Sequence, residues 1–60
     1  MVPQAMSARE AYLEGVLALS EQDYPRAITA LERAVQLAPT NTVYAKLLDM
    51  ARRKRGESRP

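Results

Sequence analysis

The segment DYPRAITALERAVQLAP, residues 23–39, decides the fold. At about 100° per residue, Ala27, Ile28, Ala30, Leu31, Ala34, Val35, Leu37 and Ala38 share one half of a helical wheel. Arg26, Thr29, Glu32, Arg33 and Gln36 take the other half. Asp23 is suited to cap the helix, since its carboxylate can accept from an amide of the first turn. Pro25 falls in that first turn, where its missing N–H costs nothing. Pro39 ends the pattern, because proline disfavours helix in the residue before it. An apolar face half a wheel wide exceeds what one helical neighbour can cover, so this helix is expected to be flanked on two sides.

Upstream, Ser7 and Glu10 form the S-x-x-E signature of a capping box. A helix should start there and run to about residue 21. Ala8, Ala11, Tyr12, Gly15, Val16, Ala18 and Leu19 share its apolar half, with Glu10, Glu14 and Glu21 opposite. Leu13 and Leu17 break that rule: they are an i, i+4 pair on or near the polar side. Gly15 costs about 1 kcal/mol against alanine in a helix interior. Close approach of a second helix would offset that cost.

Downstream, Thr40 and Asn41 are cap candidates for a third helix over residues 42–55. Tyr44, Leu47, Leu48 and Ala51 make its stripe, with Val43 and Met50 on one edge. Gly56 is a plausible stop. Arg52 to Arg55 suit the negative end of the helix dipole. The expectation is therefore all-α: three antiparallel helices at about 7–21, 25–38 and 42–55, forming one domain over 7–55. Residues 1–6 read as a disordered lead-in and 56–60 as a disordered basic tail.

Composition narrows the function. A 60-residue chain buries only about 60% of its unfolded surface, so its core is marginal. Small domains usually need a disulfide, a metal, a partner or very regular packing. With no cysteine and no histidine, a partner or self-association is the device left. The same absences remove the commonest nucleophile, general base and metal ligands. There is no glycine-rich phosphate loop and no pair of carboxylates on an apolar face, so neither catalysis nor a cofactor is expected. The longest apolar run, Val16 to Leu19, is far too short to span a membrane. No signal-peptide pattern precedes it, and the cytoplasm is the expected compartment.

The spacing Gly15-x11-Ala27-x3-Leu31-x2-Ala34-x4-Pro39 resembles the tetratricopeptide repeat, a helix–turn–helix unit of about 34 residues. The match runs from Ala8 to Asn41, with Asp23-Tyr24 at the turn between the helices. Small residues there let the helices close in, and the large one fills the gap between turns. Ala11 stands where the family has a bulky aromatic, and Glu14 where it has leucine. The third helix resembles a capping helix, since Asp49 occupies the place where a second repeat has a small residue.

The resemblance implies a protein-binding scaffold or adaptor whose groove is lined by first helices. Carried across, its positions are Arg9, Tyr12, Val16, Leu19 and Ser20, with Val43, Lys46, Met50 and Arg53 from the third helix. Some members clamp a C-terminal carboxylate with lysine and asparagine. Val16 stands where that clamp has asparagine, and Lys46 alone does not make one. Repeats normally stack in threes or more. The chain is therefore expected either to be a piece of a larger repeat protein or to form a homo-oligomer in which Leu13 and Leu17 meet another copy. The alternative function is nucleic-acid binding through the basic run at Arg52 to Arg55. No aromatic interleaves that run, so base stacking has no platform.

Overall fold

The structure is a computed structural model that describes residues 7–57. The expected lead-in at residues 1–6 and the end of the expected tail, residues 58–60, lie outside the described residues. The fold is all-α: α1 is Ala8–Ser20, α2 is Tyr24–Leu37 and α3 is Thr42–Glu57. No strand occurs among the described residues.

The first two helix starts follow their sequence signals. The Ser7 hydroxyl accepts from the Glu10 amide at 3.1 Å, and the Glu10 carboxylate accepts from the Ser7 amide at 3.0 Å. Both halves of the capping box are thus made. The Asp23 carboxylate accepts from the Arg26 amide at 3.4 Å, and Pro25 lies in the first turn of α2. Of the two cap candidates before α3, the chain uses Asn41. Its side-chain oxygen accepts from the amides of Val43 and Tyr44 at 2.9 and 3.3 Å.

The turn between α1 and α2 is tighter than its residue types suggest. Gln22 adopts φ 61, in the left-handed region. Its amide donates to the Leu19 carbonyl at 2.9 Å, and the Asp23 amide donates to the Ala18 carbonyl at 2.8 Å. These are the two bonds of a Schellman motif. A residue in that position usually is glycine, because a Cβ crowds the carbonyl there.

The two later ends differ in kind. Ala38, before Pro39, leaves the helix with ψ 72, as the clash with the proline ring requires. Gly56 does not stop α3. The helix continues through it to Glu57, two residues past the expected end, and Gly56 has no positive φ. Glu57 lies 3.9 Å from the Lys54 ammonium.

Helix α2 sits between the other two, packed on α1 and on α3, while α1 and α3 barely touch. Glu21 meets Arg26 beside the turn, and Gly15 meets Leu31 further along. That is the register of two helices folded back on each other. The core is rich in alanine: Ala11, Ala18, Ala27, Ala30, Ala34 and Ala51 join only Ile28, Leu31 and Leu48. Leu31 is the largest fully buried side chain. It lies against Gly15, where a Cβ would fall 2.6 Å from Leu31 Cγ. The expected reason for the glycine, close approach of a second helix, is what the structure shows.

Candidate partner-binding surface

Two strips of side chains run along α1 and α3, and helical spacing defines each. On α1 the residues are Arg9, Tyr12, Val16 and Ser20; on α3 they are Val43, Lys46, Met50 and Arg53. The two helices meet where Tyr12 reaches Tyr44, which lies outside the α3 strip. The rings of Tyr12 and Tyr44 stack, with centroids 5.0 Å apart and planes 26° apart. Elsewhere α1 and α3 have little contact, and both pack on α2.

The structure divides the expected groove residues. Tyr12 and Leu19 are half-buried and pack against the core cluster, together with Val35 and Leu47. They are half-exposed members of the core's rim. Val16 is 37% exposed, Met50 40% and Val43 54%. These three are the large apolar side chains free to meet a partner. Val16 was expected on the apolar half of its helix. It points outward because Ala11, Gly15 and Ala18 carry the α2 contact, and small residues make that contact narrow. Ser20 is exposed, and its hydroxyl donates to the Leu17 carbonyl at 2.7 Å, so it is turned back on its own helix.

Arg9 and Lys46 are exposed and make no ion pair with any described residue. Arg53 is exposed and lies 3.0 Å from Asp49, one turn before it. The carboxylates of α1 and of its C-cap, Glu21, are directed elsewhere. Glu10 completes the cap, while Glu14 and Glu21 lie 3.8 and 3.2 Å from the Arg26 guanidinium of α2.

On the outer side of α1, Leu13 and Leu17 are 49% and 50% exposed. On a helical wheel Leu13 lies opposite the buried set Ala11, Gly15 and Ala18. It is as far from α2 as the helix allows. Leu37 was expected on the buried half of α2, yet it is 50% exposed. It lies at the edge of the stripe, at the last residue of α2.

The basic run has its own carboxylates. Arg52 reaches Glu32 of α2 at 3.1 Å, Arg53 pairs with Asp49, and Lys54 with Glu57. Among the described residues no group of histidine, cysteine, aspartate and glutamate is arranged to hold a metal ion, and no helix is long and apolar enough to cross a membrane.

The contact of Tyr12 on Tyr44 was not read from the sequence as a pair. Both tyrosines sit on apolar stripes, but a contact between helices separated by a third has no local signal. Compared with known proteins, the chain matches no family model, and no curated protein or solved structure matches it significantly.

Proposed function

We propose that this chain is a protein-docking module: a single tetratricopeptide-like hairpin with a third helix, acting as a scaffold or adaptor. A peptide or helix lies in the groove between α1 and α3. The observation that carries the reading is the exposure of Val16, Val43 and Met50 beside the Tyr12–Tyr44 stack. Lone exposed apolar side chains are ordinary. Three on α1 and α3, in a domain whose core holds few large side chains, offer apolar surface suited to desolvation by a partner. The Gly15–Leu31 approach and the Pro39 stop support the hairpin part of the reading.

The test is a peptide-display selection against the full chain, repeated against Val16→Asp and Met50→Asp. Peptides recovered on the parent chain should bind both variants at least tenfold more weakly, as expected for a charge placed in an apolar contact. Binders indifferent to both substitutions would contradict the reading.

Self-association is a second reading, favoured by a separate observation: Leu13 and Leu17 form an exposed i, i+4 pair on the far side of α1. Another copy of the chain, docked there, would cover what a neighbouring repeat covers in a longer array. For nucleic-acid binding no such observation exists. Arg52, Arg53 and Lys54 of the basic run are paired with Glu32, Asp49 and Glu57, and no aromatic ring lies within the run.

A further inference from the structure

We propose that α1 pairs in parallel with α1 of a second copy of this chain, in a register that brings Arg9 of each copy to Glu14 of the other. The inference rests on the self-association reading, in which Leu13 and Leu17 meet another copy, and specifies its orientation and register.

The self-complementarity of α1 carries it. Leu13 and Leu17 are each about half exposed, and their spacing fits the d and a places of a heptad. Counted from them, Ser20 is the next d residue, Arg9 and Val16 are g, and Glu14 and the C-cap Glu21 are e. Ala11 and Ala18 then fall at b and Gly15 at f, on the opposite side, and these are the buried residues of α1. A second helix can therefore lie along Leu13 and Leu17 without displacing α2. The two flanks of that seam differ in charge: Arg9 is on one, Glu14 and Glu21 are on the other.

Charge selects the orientation. In an antiparallel pair each flank meets its own equivalent, so Glu14 and Glu21 would face the same carboxylates of the copy. In a parallel pair the g flank meets the e flank, and Arg9 falls opposite the residue five places later, Glu14. Two-fold symmetry makes that contact twice. Both side chains are available for it. Arg9 is exposed and makes no ion pair with any described residue. Glu14 lies 3.8 Å from Arg26, which holds Glu21 more closely, at 3.2 Å. Glu14 can turn to Arg9 of the copy while Arg26 keeps Glu21, because exposed ion pairs exchange partners at little cost. The seam is short, since α1 has 13 residues. Such a pair belongs at the weak end of protein interfaces, and its charges set orientation more than affinity.

The test is sedimentation equilibrium with the full chain and two variants, Arg9→Glu and Glu14→Arg, alone and mixed. Each variant alone puts like charges at both contacts of its own pair, and should dimerise about fivefold more weakly than the parent, or worse. An equimolar mixture should recover the parent's association, because the two introduced charges meet each other and the two native ones do likewise. Positions 9 and 14 lie about 140° apart on one helix, so that recovery cannot arise within a chain. It should fade between about 50 mM and about 500 mM salt. Arg9→Glu also suits the positive end of the helix dipole, so weaker association does not reflect loss of α1; circular dichroism of both variants should match the parent. A parent that dimerises, with variants that dimerise equally well or a mixture no tighter than either variant, would overturn the parallel register and leave self-association standing. A parent that stays monomeric at high micromolar concentration would overturn both.

Discussion

At Gly15 an added Cβ would lie 2.6 Å from Leu31 Cγ and 2.8 Å from Leu31 Cδ2. Leu31 is fully buried and its Cγ is the branch point, so it cannot swing aside. Gly15→Ala gains about 1 kcal/mol of helix propensity but forces overpacking that costs about 1–3 kcal/mol. The net expectation is a loss of stability in urea denaturation; a gain would show that the helices are further apart. Gly56 is the contrast. It is helical, and nothing lies within 4 Å of its missing Cβ. Gly56→Ala should stabilise, by up to about 1 kcal/mol and less if the helix end frays. Gln22 gives the opposite sign of glycine effect. Held at φ 61, it carries a strain of about 1–2 kcal/mol. Gln22→Gly should relieve much of it and raise the melting temperature. An unchanged or lower value would mean that the Schellman turn does not form.

The helices differ in how plainly their sequence announces them. The starts of α1 and α2 follow from side-chain chemistry within four residues, so Ser7, Glu10 and Asp23 could be read directly. Between Thr40 and Asn41 the sequence left a choice, which Asn41 takes through two amide bonds. Asn41→Ala should cost about 1 kcal/mol, and Thr40→Ala far less; equal losses in denaturation would remove the cap assignment. The end of α3 was misread because Gly56 looks like a stop. A glycine ends a helix only when the chain must turn, and nothing packs there to turn it. The broad stripe of α2 correctly signalled neighbours on both sides. The stripe of α1 was read too wide. Its α2 contact is made by Ala11, Gly15 and Ala18, and such small residues leave Val16 and the leucines outside. Of the candidate surface, the positions along each helix were legible. The Tyr12–Tyr44 contact that joins them was not, because it depends on how α2 holds the two helices apart.

At the scale of the whole molecule, the balance between core and surface is the main fact. Few large side chains are buried, while Leu13, Val16, Leu17, Leu37, Val43 and Met50 are each at least 37% exposed. A domain of this size is marginal on its own, and covering part of that surface would stabilise it by mass action. Two faces compete for that role. If a second copy covers the outer face of α1, sedimentation equilibrium should show the mass rising with concentration, and Leu13→Lys/Leu17→Lys should hold it at one chain. A parent chain that stays monomeric at high micromolar concentration would end that reading. It would leave the groove reading to its own test; Leu13 lies one turn from both Arg9 and Val16 on α1.

The groove is the central claim, and residue-resolved mapping tests it most directly. Amide and methyl spectra of the labelled chain would be recorded while titrating a peptide selected for binding to it. The account predicts saturable perturbations at Val16, Leu19, Val43, Lys46, Leu47 and Met50, with the outer face of α2 at Thr29, Arg33 and Gln36 unmoved. Perturbations confined to that outer face, or to Arg52 through Arg55, would contradict it.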